Sequence, residues 1–286
     1  MNSWSAWFYK LYSLLIRAKI KKYIITEFIT GNKGYQAWIA RHETALDHPV
    51  TFHYSPLISI IMPVYNVKEE YLRECIDSVI QQQYPHWELC IADDHSSMPH
   101  VRKVLDEYAK ADSRIKVVYR TFNGHISACS NSALQIVEGE FAALLDNDDT
   151  LAPFALYEVV KLLNNDPNAD LIFSDEDKLL NGQRCFPFYK RAYGPGLLRQ
   201  INYICHLAVY RTSLLHEVNG FREGYEGVQD WDLALRVMAK SDRVKHIPKI
   251  LYHWRITETS TAGGEHRKSY VKEARRRMLQ NSDIKR

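Results

Sequence analysis

From residue 57 onward the chain alternates short apolar runs with stretches of helical periodicity. Residues 57–62, 87–92, 115–119, 141–145 and 170–173 have the length and β-rich composition of buried strands. Between them, 70–82, 99–109, 127–137 and 153–164 place apolar residues at helical spacing. This βαβα rhythm predicts an α/β fold, a Rossmann-like, mostly parallel central sheet with helices on both faces. After Lys178 the rhythm becomes irregular. There 205–210 and 243–253 read as strands, and 230–240 and 271–280 as helices. Upstream, 3–28 reads as a helix with a polar stripe of Lys10, Ser13, Arg17 and Lys21 opposite Trp4, Phe8, Leu11, Tyr12 and Leu15. A short helix and a linker follow over 31–56. The predicted organisation is an N-terminal helical extension (1–56), a main α/β domain (57–262) and a basic C-terminal helix (263–286).

This arrangement gathers polar residues at predicted strand ends: 63–66, 93–97, 123–125, 146–149 and 174–178. In an open α/β sheet these ends converge on one edge, where a ligand crevice forms. The most informative of them is Phe141-Ala-Ala-Leu-Leu-Asp-Asn-Asp-Asp149, an apolar strand that stops in Asp146, Asp148 and Asp149. Three carboxylates at one strand end repel one another and resist burial. A divalent cation with oxygen ligands is the usual compensation, and a solvated acidic turn is the bland alternative. Pro63 blocks ladder pairing and stiffens the exit of the first strand. Gly124 allows a close backbone approach just before a helix whose N-terminus favours phosphate. Asp230 opens a predicted helix, where aspartate is favoured as an N-cap.

Charge and cysteine content narrow the function classes. Residues 1–28 are net +4 and 265–286 net +5; with +3 for the chain, 29–264 carry −6. A basic nucleic-acid groove in the middle is excluded on these grounds, and the basic ends suit an anionic surface. Tryptophans opposite lysines over 3–28 fit a helix lying in a membrane interface; packing on the main domain or on a second subunit, as in a homodimer, is the alternative. No apolar run reaches the length of a membrane span. The five cysteines are scattered, without a C-x-x-C, as expected of reduced thiols in a cytoplasmic protein.

Four segments in order carry a resemblance: Ile58-Ser-Ile-Ile-Met-Pro-Val-Tyr-Asn66, Leu89-Cys-Ile-Ala-Asp-Asp-His-Ser96, Leu145-Asp-Asn-Asp-Asp149 and Gln229-Asp-Trp-Asp-Leu233. They resemble the family 2 glycosyltransferases of GT-A fold, over about 57–262. Ser174-Asp-Glu-Asp-Lys178 and Leu251-Tyr-His-Trp-Arg255 resemble the bacterial branch that builds surface polysaccharides and lipopolysaccharides. The resemblance implies an inverting, metal-dependent enzyme that moves a sugar from a UDP- or dTDP-linked donor to a glycan or lipid-linked glycan acceptor, with Mn2+ or Mg2+. It implies that Pro63, Val64 and Tyr65 cradle the base, that Asp93 accepts from a pyrimidine N3–H, and that Asp94 reaches ribose or holds the loop. Gly124 and His125 are expected near the phosphates, with Asp146 and Asn147 on the donor. Asp146 and Asp148 are the expected metal ligands, with His253 as the late histidine that completes the shell in some GT-A enzymes. Asp230 is the expected general base, with Asp232 as the competing base. Many relatives carry an arginine where this chain has Ser130, so the pyrophosphate charge falls to metal, backbone, Arg255 or Lys178. The expected location is the cytoplasm, at the inner membrane face if 3–28 binds lipid. Two alternatives remain: a catalytically silent sugar-binding relative, and a sugar-1-phosphate nucleotidylyltransferase, disfavoured because Pro63-Val-Tyr-Asn-Val67 lacks the glycines of a triphosphate loop.

Overall fold

The computed structural model describes residues 33–43, 51–257 and 269–280. The segment 3–28, with its expected amphipathic helix, lies outside the described residues. The first strands form where fully apolar runs can be buried on both faces: β1 (Ile58–Val64), β2 (Trp87–Asp93) and β3 (Ile115–Tyr119) pair in parallel, and β4 (Phe141–Leu144) pairs in parallel with the other side of β1. Their connections are α2 (Glu69–Ile80), α3 (Pro99–Ala111) and α4 (His125–Leu134), preceded in the chain by α1 (Lys33–His42). Proline opens α3 at the position where its missing N–H has no intrahelical partner to lose. The chain leaves β1 toward β2 and β3, then returns to β1's other side as β4. That reversal is the topological switch point of the sheet.

Beyond β4 come β5 (Thr150–Leu151), α5 (Ala155–Asn165), β6 (Leu171–Leu180), β7 (Gln183–Phe188), α6 (Pro195–Leu198), β8 (Ala208–Arg211), α7 (Thr212–Glu217), α8 (Gln229–Met238), β9 (Val244–Arg255) and α9 (Ser269–Gln280). The strand order is β3-β2-β1-β4-β8-β6-β9-β5, with β7 paired to β6 as a hairpin. β8 runs antiparallel between β4 and β6, whereas β6 and β9 are parallel.

Two apolar layers sandwich the sheet. In one, Ile58, Ile60 and Met62 of β1 meet Leu72, Ile76 and Val79 of α2, Val104 of α3 and Val159 of α5. In the other, Ile61 of β1 meets Cys129 and Ala133 of α4, Leu198 of α6, and Trp231 and Ala234 of α8. The alternation along β1 is the two-residue period of a strand buried on both faces. The described part of the C-terminal segment joins the second layer through Val271, Ala274 and Met278.

One expectation is corrected here. Ser174–Lys178 does not end a strand; it lies inside β6. Its acids tolerate the interior because each meets a cation or an imidazole, as described below. The expected strand at 205–210 starts only at Ala208, leaving Cys205 and His206 in the preceding loop.

Candidate active site

The switch point brings the ends of β1 and β4 together, and the Asn147 amide donates to the Pro63 carbonyl across it at 2.7 Å. Past β4, the acidic loop is built around Tyr252 of β9. The Asp146 backbone N–H donates to the Tyr252 hydroxyl (3.2 Å), and that hydroxyl donates to the Asp149 carboxylate (2.6 Å). Asp149 also accepts from the Arg255 backbone N–H and is fully buried. Its role is structural: it ties the loop to β9. Burial, and then the charges of Asp148 and Asp146, hold Asp149 well above the carboxylate range. Burial and the neighbouring Asp146 push Asp148 up to about 6. Asp146 and Asp148 are oxygen donors of the kind a hard divalent cation takes. Among the described residues, no three Asp, Glu, His or Cys side chains are already gathered at ligand distance. Such a cation would draw its remaining ligands from donor phosphates and water, as Mg2+ usually does in phosphate sites.

Asp146 opens into a cavity with Ile61, Leu144 and Phe221 among its apolar walls. His206, Ser130, Cys205, Gln229 and Asp230 add to its polar lining. Asp146 and Asp230, separate in sequence, thus face one space. The Asp230 carboxylate accepts a side-chain bond from Asn202 at 2.9 Å. Asp232, two residues on, is buried beneath α8 and held by Arg222 and Arg236. The structure therefore separates the two candidate bases: Asp230 opens to the cavity and Asp232 is a buried ion-pair centre.

On the other side of the switch point, Asp93 is buried and accepts from the Ser96 backbone N–H. Asp94 pairs with Arg120 at 2.7 Å and accepts from the Gly124 N–H at 2.9 Å. A Cβ on Gly124 would lie 2.4 Å from an Arg120 nitrogen. The glycine leaves room for the close approach of Arg120. Tyr65 is half-exposed and His125 exposed, while Val64 is buried in the core. Arg255, a candidate for the pyrophosphate, donates to the Asp148 carbonyl and pairs with Glu74. Lys178 pairs with Glu176 at 2.6 Å and lies over the Trp254 ring.

The acids of β6 sort by face. Glu176 and Lys178 stand opposite Tyr252 and Trp254 of β9, while Asp177 stands opposite His253. This two-residue period sets the surroundings of His253. Its Nδ1 lies 2.6 Å from Asp177, on the face where Tyr35 and Arg184 also bond Asp177, and it makes no ion pair with Asp146 or Asp148. The histidine beside the acidic loop is His206, whose Nε2 is 3.7 Å from Asp146 and whose Nδ1 is 3.7 Å from Glu176. Burial alone would lower this imidazole, but Glu176, Asp146 and Asp149 outweigh burial and hold it above its ordinary value. A proton there and a divalent cation would compensate the same charges. Sequence reading missed His206 because it sits in a run read as a strand, with no motif of its own. It also missed Lys190, a buried lysine that pairs with Glu176 at 3.1 Å and donates to the His206 carbonyl.

A family model described as Glycosyl transferase family 2 matches residues 59–218. The chain is 48% identical over 228 residues to the "Uncharacterized protein y4gI" of Sinorhizobium fredii, covering 79% of this chain and 25% of that protein. It is 38% identical over 234 residues to the "O-antigen biosynthesis protein RfbC" of Myxococcus xanthus, covering 80% of this chain and 18% of that protein. The chain thus spans a quarter or less of the length of these relatives. Among solved structures, Staphylococcus aureus TarS 1–349 in complex with UDP-GlcNAc superposes with a TM-score of 0.64 at 22% identity, over 80% of this chain and 68% of TarS 1–349. The mannosyltransferase PcManGT of Pyrobaculum calidifontis, in complex with GDP-Man and Mn2+, gives 0.64 at 19% identity, over 92% and 76%. These two likenesses concern the fold.

Proposed function

The chain belongs to glycosyl transferase family 2 and has the GT-A fold, and on that premise we propose that it transfers a sugar, with inversion, from a UDP- or dTDP-linked donor to a glycan acceptor in surface polysaccharide or lipopolysaccharide synthesis. The observation that carries this reading is the single cavity onto which Asp146 and Asp230 both open. Asp146 and Asp148 hold a divalent cation, Mn2+ or Mg2+, which when bound neutralises charge on the departing diphosphate. Asp93 and the Pro63–Tyr65 segment at the end of β1 take the base, and Asp94, through Arg120 and Gly124, keeps the neighbouring loop in place. Asp230 removes the proton from the acceptor hydroxyl as that oxygen attacks the anomeric carbon. The new C–O bond forms as the bond to phosphate breaks, so one displacement inverts the anomeric centre. The named relatives support the polysaccharide setting: one is an O-antigen biosynthesis protein and another a "Putative teichuronic acid biosynthesis glycosyltransferase TuaG" of Bacillus subtilis, 40% identical over 97 residues.

We place the enzyme in the cytoplasm, where the five free cysteines stay reduced. Residues 3–28 are the proposed contact with the inner membrane face. No described helix is long and apolar enough to cross a membrane. The test of the activity is release of nucleoside diphosphate from a panel of UDP- and dTDP-sugars, with and without Mn2+. Metal-dependent release from at least one donor is expected. No release from any donor, with or without metal, would refute the reading.

A further inference from the structure

Resting on the metal-dependent reading above, we propose that His206 supplies the imidazole of the cation site, with Nε2 sharing the ion with Asp146 while Glu176 orients the ring from the Nδ1 side. The distances fit two ligands of one ion better than a direct bond. Nε2 lies 3.7 Å from the Asp146 carboxylate. Ligands each about 2.1 Å from a common cation stand roughly 3.0 Å apart at right angles and about 4.2 Å apart when opposed. The observed separation falls between those limits. Nδ1 is buried, has no hydrogen-bond partner, and faces Glu176 at 3.7 Å. The ring is therefore seated between two carboxylates without being bonded to either. A carboxylate behind a ligating imidazole is the usual way to fix its tautomer and direction.

The seat is built from several elements. The His206 backbone N–H donates to Glu176, and its carbonyl accepts from Lys190, itself paired with Glu176. The ring stacks on Tyr252 with centroids 4.5 Å apart and meets Trp254 edge-on. Tyr252 also accepts from the Asp146 N–H, so one tyrosine positions both proposed ligands. His253 has no such relation to Asp146, because its Nδ1 is engaged by Asp177 on the other face of the sheet.

The test is electron spin-echo spectroscopy of Mn2+ bound to the full chain with UDP or dTDP, paired with titration of Mn2+ affinity. Wild type and His253→Ala are expected to show modulation from a directly bound nitrogen. His206→Ala is expected to lose it and to bind Mn2+ about 10- to 100-fold more weakly, the range seen when a metal site loses such a supporting group. Its circular dichroism and melting profile verify that it has folded. Bound Mn2+ without nitrogen coupling in wild type, coupling that survives in His206→Ala, or coupling lost in His253→Ala instead would overturn the assignment while leaving metal dependence intact. Failure of the wild type to bind Mn2+ at all would overturn the metal-dependent reading itself.

Discussion

Asp230 and Asp232 carry the same carboxyl group two positions apart at the start of α8, and their neighbours give them different work. Asp232 lies under the helix between Arg222 and Arg236, and Asp230 faces the cavity with one amide donor, from Asn202. Asp230→Asn is expected to lower transfer roughly 10²-fold or more, the loss typical of a missing general base, with donor affinity and melting temperature nearly unchanged. Asp232→Asn is expected to destabilise the fold by on the order of 3 kcal/mol, because it leaves two arginines facing a neutral amide at a buried site. Steady-state kinetics and thermal melts of both variants decide the matter: near-normal turnover in Asp230→Asn with an inactive, stable Asp232→Asn would exchange the roles. The same logic applies to Gly124. Gly124→Ala would place a methyl 2.4 Å from Arg120 and disturb the Asp94 pair, so UDP affinity measured by calorimetry is expected to fall several-fold. Unchanged affinity would show that this loop does not support the nucleotide. The sequence exposed the residues that motifs carry, Asp93, Asp146, Asp148 and Asp230, because each follows a recognisable strand or opens a helix. It hid His206, whose importance comes from Tyr252 and Glu176, remote in the chain and close only after folding.

At the scale of elements, β1 to β4 and their helices were legible because runs such as Leu89-Cys-Ile-Ala have no other stable place than a doubly covered sheet. β6 was not. Ser-Asp-Glu-Asp-Lys has poor strand propensity, and its burial is intelligible only from partners on other elements: Lys190 for Glu176, His246 for Asp175, and Arg184, His253 and Tyr35 for Asp177. The Asp177 cluster also fastens α1 to the β6–β7 hairpin, since Arg184 pairs with Glu43 just past that helix. Burial would raise the Asp177 carboxyl, but His253, Arg184 and Tyr35 outweigh it and hold it below its ordinary value. A depressed carboxyl stabilises the fold above its unfolded-state pKa, about 3.9, and loses that contribution as pH falls toward the folded value. Arg184→Gln removes part of the compensation, so the acid-unfolding midpoint followed by circular dichroism is expected to move to higher pH. A midpoint unchanged from wild type would show that the pair contributes nothing to acid stability.

For the whole molecule, the sheet reversal at β1 and β4 explains why segments spread from Pro63 to Asp230 serve one cavity: the chain crosses the same edge several times, and each crossing leaves its polar exit there. The basic, aromatic segment 3–28 bears on where the enzyme works. Deleting 1–28 is expected to release the protein from anionic liposomes while sparing donor hydrolysis, and wild-type binding is expected to weaken with salt. Full-length protein that fails to co-sediment at low salt would refute membrane contact through this segment and leave the enzymatic account untouched. That account rests on a cation held by the acidic loop beside the donor. Calorimetric titration of UDP- and dTDP-sugars into wild type and Asp148→Ala, with Mn2+ or with a chelator, tests it most directly. At least one donor is expected to bind wild type only when Mn2+ is present, and Asp148→Ala is expected to bind none under either condition; binding of donor and Mn2+ by Asp148→Ala with wild-type affinity would contradict it.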